Sequence, residues 1–175
     1  GAHPHTCLQT FTWMIQGEVL HRDSLGYEQV IRPGQVNLMT AGRGISHTED
    51  SLPGGDGMHT VQLWIALPEE LANMPPAFDH YPDLPIWSQD GVDTTLLVGE
   101  FAGHTALTKV YSPLMAVDMQ SKQANTTNVA LKPEFEYGIL VLQGQLSVEG
   151  QSFAANEFAY FAPGRAELEL TWEAG

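Results

Sequence analysis

The chain has 175 residues, 43% of them hydrophobic, which suits one large β domain or two small ones and argues against disorder. Seven Lys and Arg against 21 Asp and Glu leave a formal charge of −14, which opposes direct contact with nucleic acid or an anionic membrane. No apolar run approaches a membrane span, and the single cysteine, Cys7, excludes an internal disulfide and fits a reducing, cytoplasmic compartment.

Taken in order, the chain reads as β throughout. Phe11 to Gln16 is a β-rich run that halts at Gly17, and Glu18 to Asp23 resumes it. Ser24-Leu25-Gly26 turns the chain into Tyr27 to Ile31, which Arg32-Pro33-Gly34 stops. Val36 to Met39 follows, and Thr40 to Gly44 turns into a strand carrying His47 and Glu49. A Gly-, Pro- and Asp-rich loop is expected from Asp50 to Gly57. His59 to Leu67 alternates, with His59, Val61, Leu63 and Ile65 on one face and Thr60, Gln62 and Trp64 on the other. Only Glu69 to Met74 has a helical pattern. Five prolines between Pro68 and Pro85 mark residues 68–92 as a semi-rigid connector. Strands are then expected at Thr94 to Gly99, Thr105 to Tyr111, Leu114 to Met119, Thr127 to Leu131, Gly138 to Leu142, Gln145 to Val148, Glu157 to Phe161 and Leu168 to Trp172. Short strands separated by turn residues predict an all-β sandwich or barrel. The four tryptophans read as core, with Trp64 and Trp87 also read as covers for the seam between the domains.

A faint repeat divides this pattern. Trp13 to Val19 resembles Leu140 to Leu146, and Ala41-Gly42-Arg43 matches Ala162-Pro163-Gly164-Arg165. Two related β domains follow: 1–67, the 68–92 connector, and 93–175. The copies are chemically unequal. His5 and His47 of the first correspond to Lys132 and Glu169 of the second, and no histidine follows His104. A histidine-based metal site therefore belongs to the first copy.

Residues two apart on a strand project to one face, so His3 converges with His5 and His47 with Glu49. Two such strands facing each other present three imidazoles and a carboxylate, a donor set for a first-row divalent metal with positions left open. On a regular strand Cys7 and Gln9 share the face of His3 and His5, as a neighbouring pair or, for Cys7, a small core residue. His59 either lines the metal cavity or is a satisfied core histidine. His21 reads as surface or locally hydrogen-bonded, His80 as solvated and His104 as structural.

The stretch HPH…QGEVLHRDSLG…VIRPG…MTAGRGISHTE…HTVQLWIALP resembles the pirin family of bicupins, and Gly103 to Leu114 resembles the opening of that family's second domain. The resemblance implies two tandem cupin (jelly-roll β-barrel) domains, with further strands before His3 and further residues after Trp172. It implies His3, His5, His47 and Glu49 as ligands of one divalent metal, Fe(II) first, with Ni, Co, Cu, Mn and Zn as alternatives. Pirins usually carry Arg-Gly-Phe-Glu after the second histidine, where this chain has Thr6-Cys7-Leu8-Gln9. The activity implied is quercetin 2,3-dioxygenase-like, acting on a flavonol with O2, with Glu49 as ligand and as base for the substrate hydroxyl. The alternative is a non-enzymatic, metal- or redox-dependent regulator that binds a protein partner.

Overall fold

Alternating β-branched and aromatic residues produce nineteen strands in the computed structural model, which describes residues 1–54 and 57–173. Two compact units divide the chain: residues 1–85 with 96–116, and residues 86–95 with 117–175. No helix among the described residues is long and apolar enough to cross a membrane.

The first unit holds β1 (His3–His5), β2 (Leu8–Gln16), β3 (Val19–Asp23), β4 (Glu28–Ile31), β5 (Val36–Thr40), β6 (Ile45–Ser51), β7 (His59–Ala66) and β8 (Ala77–Tyr81). They form two antiparallel four-stranded sheets, ordered β1-β6-β3-β4 and β7-β2-β5-β8. Strand β2 is buried on both faces, so its pattern is nearly continuous rather than alternating. On one face Phe11 and Trp13 pack with Val36, Leu38, Leu97 and Val98, and with the half-buried Val61 and Ile65. On the other, Met14 packs with Val19 and Ile31 of the β1-β6-β3-β4 sheet. Thr10 and Thr12 share the parity of Met14, which puts two buried hydroxyls where the two sheets meet.

The chain enters the second unit through β9 (Ile86–Gln89), which pairs with the first residues of β10 (Val92–Val98) in a hairpin. Strand β10 returns to the first unit at Leu96, where the short β11 (Glu100–Phe101) and β12 (His104–Thr105) pair. After β13 (Ala116–Gln120) come β14 (Asn125–Ala130), β15 (Tyr137–Leu140), β16 (Gln145–Val148), β17 (Gln151–Ala154), β18 (Phe158–Phe161) and β19 (Glu167–Trp172). These form a four-stranded sheet, β14-β19-β16-β17, and a β15-β18 pair. Val129, Val148, Leu168 and Leu170 are buried there.

The all-β expectation holds, but several details differ. Residues 68–92 are not a separate connector. Ala77–Tyr81 between the prolines is free to donate, and it adds β8 to the sheet edge against β5. The units therefore divide after Pro85 and inside β10 rather than at 67/68 and 92/93. Glu69–Leu71 is a single 3-10 turn, cut short because Pro75-Pro76 forbids continuation. Of Thr105 to Tyr111 only Thr105 is in a strand; Lys109 N–H donates to the Tyr81 hydroxyl (3.1 Å) and Thr108 Oγ1 to the Leu97 carbonyl (2.6 Å), replacing ladder bonds. The expected 50–57 loop begins late, since Asp50 and Ser51 complete β6, and residues 55 and 56 lie outside the described residues. Among the tryptophans, Trp13 is core while Trp64 is 65% exposed.

Candidate metal centre

The antiparallel register pairs His3 with His47 across β1 and β6, and His21 with Glu49 across β3 and β6. Strand β6 is thus the spine of the site, with His47 at its middle. His47 Nε2 lies 3.1 Å from His3 Nε2 and 3.2 Å from His5 Nε2, so three ring nitrogens converge. Two donors at right angles on one ion, each about 2.1 Å away, are themselves about 3.0 Å apart. The observed separations match that spacing, and without a shared cation or proton the lone pairs would repel. His3 Nδ1 stands 3.0 Å from the Gly1 carbonyl, a bond that keeps the proton on Nδ1 and leaves Nε2 free to ligate. His47 Nδ1 is buried without a partner among the described residues.

Electrostatics agree with the geometry. Burial lowers the His5 imidazole below its usual range, with the His3 charge adding and Glu49 opposing. His47 is pushed down to about 4, chiefly by burial, against the pull of Glu49 and with His21, His3 and His5 adding repulsion. Neutral imidazole is the ligating form, so the site is prepared for a cation.

Glu49 sits beside this trio rather than inside it. His3, His5 and His47 can bring one ligand atom each within 4.8 Å of one another, and so can His21, His47 and Glu49; His47 belongs to both sets. The Glu49 carboxylate accepts from Gln62 Nε2 at 2.9 Å (Oε2) and 3.2 Å (Oε1), and from Thr12 Oγ1 at 3.4 Å. The facing sheet therefore furnishes the lining. Trp64 meets the His5 ring edge-on, with centroids 5.2 Å apart.

His21 is neither at the surface nor remote. It is 2% exposed, bonds the buried Asp23 carboxylate at 3.0 Å and stacks on Phe78, with centroids 4.2 Å apart. Asp23 in turn accepts from the backbone N–H groups of Leu25 and Tyr27. The Asp23-His21 pair braces the wall beside His47.

Two expectations, for Cys7 and Gln9, are corrected, and the two readings of His59 are narrowed to one. Cys7 is exposed, in a left-handed conformation (φ 61°) between β1 and β2, its N–H bonded to the Gly42 carbonyl. That kink resets the alternation, so Cys7 and Gln9 do not inherit the face of His3 and His5. Gln9 is fully buried on the opposite face of β2, donating to Thr40 Oγ1 (2.9 Å) and the Lys109 carbonyl (3.0 Å). His59 shares the parity of Val61 and Ile65, which pack on the apolar core, whereas Gln62 and Trp64 reach the site. Missed from sequence were Gln62, Thr12, Trp64, His21 and Phe78. The one available signal was polar side chains, Thr10, Thr12 and Gln62, on strands otherwise apolar. His80 is also not solvated; its Nδ1 is 2.7 Å from Asn37 Oδ1.

The sequence profile of the pirin family matches residues 1–65. A Pseudomonas aeruginosa protein named as a candidate quercetin 2,3-dioxygenase is 58% identical over 175 residues, all of this chain and 56% of its own. A pirin-like protein from Caulobacter vibrioides is 38% identical over 169 residues, 93% of this chain and 58% of its own. This chain belongs to the pirin family. The crystal structure of a quercetin 2,3-dioxygenase from Acinetobacter baumannii matches all of this pirin-family chain at 49% identity with a TM-score of 0.96, over 58% of that protein. The pirin fold here is accordingly all-β, of the tandem cupin class. The chain spans a little over half the length of these relatives.

Proposed function

We propose that His3, His5, His47 and Glu49 hold one divalent cation, Fe(II) in the first instance, and that the site serves dioxygenation of a flavonol such as quercetin. The observation that carries this reading is the convergence of three Nε2 atoms at 3.1 and 3.2 Å about His47, with burial favouring the neutral imidazole at His5 and His47. The names of the Pseudomonas and Acinetobacter relatives support the substrate class. A bound ion of this kind supplies Lewis acidity toward a 3-hydroxyl and 4-keto pair and an electronic path to O2.

The chain's own groups do the rest. Glu49 stands beside the three histidines with a carboxylate held by neutral donors, so it is able to take the substrate hydroxyl proton at Oε1. Trp64, exposed next to His5, offers an indole face against which a flat aromatic ring can lie. The buried His21-Asp23 pair and Phe78 hold the far wall dry.

Elemental analysis of protein purified without chelator, followed by oxygen consumption with quercetin, tests the reading. About one first-row metal per chain is expected, with quercetin-dependent oxygen uptake abolished by His47→Ala. Metal content and uptake that survive His47→Ala would refute the ligand set. Metal uptake without turnover would leave the site standing and remove the flavonol.

A further inference from the structure

We infer that Gln62 is a positioning residue that bridges both oxygens of Glu49 and holds its carboxylate in the orientation in which it serves the cation; this rests on the reading above. The Gln62 amide nitrogen carries two protons and faces three acceptors: Glu49 Oε2 at 2.9 Å, Glu49 Oε1 at 3.2 Å and Thr12 Oγ1 at 3.2 Å. With two protons for three oxygens, one proton is shared. The shortest bond goes to Oε2, and Oε1 is left with its share of Gln62 and a long 3.4 Å bond from Thr12. Gln62 and Thr12 together thus hold both oxygens of the carboxylate. That carboxylate belongs to the residue that clusters with His47, the histidine on which His3 and His5 also converge.

The amide orientation is forced. Turned over, its oxygen would face both carboxylate oxygens and the Thr12 hydroxyl would lose a donor. Strand alternation explains why Gln62 can act here: Gln62 lies opposite Thr12 in the β2-β7 register, and both project toward β6. Without Gln62 the Glu49 carboxylate keeps, among the described residues, only the long 3.4 Å bond from Thr12. Gln62 is exposed and contributes little to the core, so its loss is felt at the site and not in folding.

The test strips the protein of metal and titrates it with Co(II), following the visible d–d bands and measuring affinity by competition with a chelator. Gln62→Met keeps the shape and removes both donors; Gln62→Glu replaces them with a like charge. For Gln62→Met we expect affinity to fall about 10–100-fold and the band intensities to change, with the thermal midpoint of the metal-free protein unmoved. For Gln62→Glu the loss should be larger. Wild-type affinity and wild-type bands in Gln62→Met would overturn the inference while leaving the cation site intact. Failure of the wild type itself to take up Co(II), or uptake undiminished by His47→Ala, would instead bring down the site and this inference with it.

Discussion

All seven histidines of the chain lie in the first unit, and the second has none. At the repeat positions that hold His5 and His47 in the first copy, the second has Lys132 and Glu169. Lys132 donates its backbone N–H to the Tyr137 hydroxyl at 2.7 Å and holds its ammonium over the Phe135 ring. Glu169 pairs with Asn128 across β14 and β19. Both units keep the strand-and-turn pattern, so the pattern does not depend on the ligands. The chemistry was placed on, or lost from, positions whose backbone role is unchanged. Their cores differ as well. The first buries Phe11, Trp13, Met14 and Met39, whereas the second buries valines, leucines and Ala159 and leaves Phe158 and Tyr160 about 61% and 60% exposed.

The sharpest way to break this contrast is to cut each core. Phe11→Ala, at a side chain 1% exposed, should cost about 3–5 kcal/mol, and Val148→Ala, equally buried, about 1–3 kcal/mol. Urea unfolding followed by residue-resolved hydrogen exchange assigns each loss to its unit. If Val148→Ala proves the costlier, stability does not reside where the larger side chains are buried.

Acid should separate the units next. His5, His47 and His80 all have lowered pKa values, in each case first because burial disfavours the imidazolium. Between the ordinary value of 6.5 and the folded value, the unfolded chain binds more protons than the folded one, so stability is full above about 6.5 and falls as pH drops. For His47 the window runs from 6.5 down to about 4. Metal-free protein should lose exchange protection in β1, β6 and β8 between pH 7 and pH 5, after correction for intrinsic rates, and the second unit should not. Equal loss in both would mean that general charge effects, not the histidines, set the acid response.

These tests depend on features of unequal legibility. The strands of the first unit, and the pairing of His3 with His5 and His47 with Glu49, followed from a period of two and from turn residues at their ends. Proline density hid β8, because Pro76 and Pro82 flank Ala77–Tyr81 without entering it. Gln62 and Thr12 were invisible as site residues because their partner, Glu49, is brought to them by sheet packing and not by local spacing. His21 was hidden for the same reason: Asp23 is two residues away, but Phe78 lies on another sheet. Parity failed outright at one residue. Alternation carried through Cys7 placed Gln9 with the histidines, and a single left-handed residue sent it to the other face.

That residue provides the smallest effect and the cleanest check on the kink. Left-handed backbone costs a side-chain-bearing residue roughly 1–2 kcal/mol, and Cys7 adopts it with φ 61° while its N–H and carbonyl are tied to Gly42 and Leu67. Cys7→Gly removes that cost but gives the unfolded chain more freedom, worth roughly 0.4–1 kcal/mol. The difference should appear as a net gain of about 0.5–1 kcal/mol in urea unfolding, with metal uptake unchanged because the thiol is exposed and outside both ligand sets. Cys7→Ala keeps the Cβ and the strain, and should gain nothing. A gain from alanine equal to that from glycine would assign the effect to the thiol and leave the reversal of parity at Gln9 without its backbone cause.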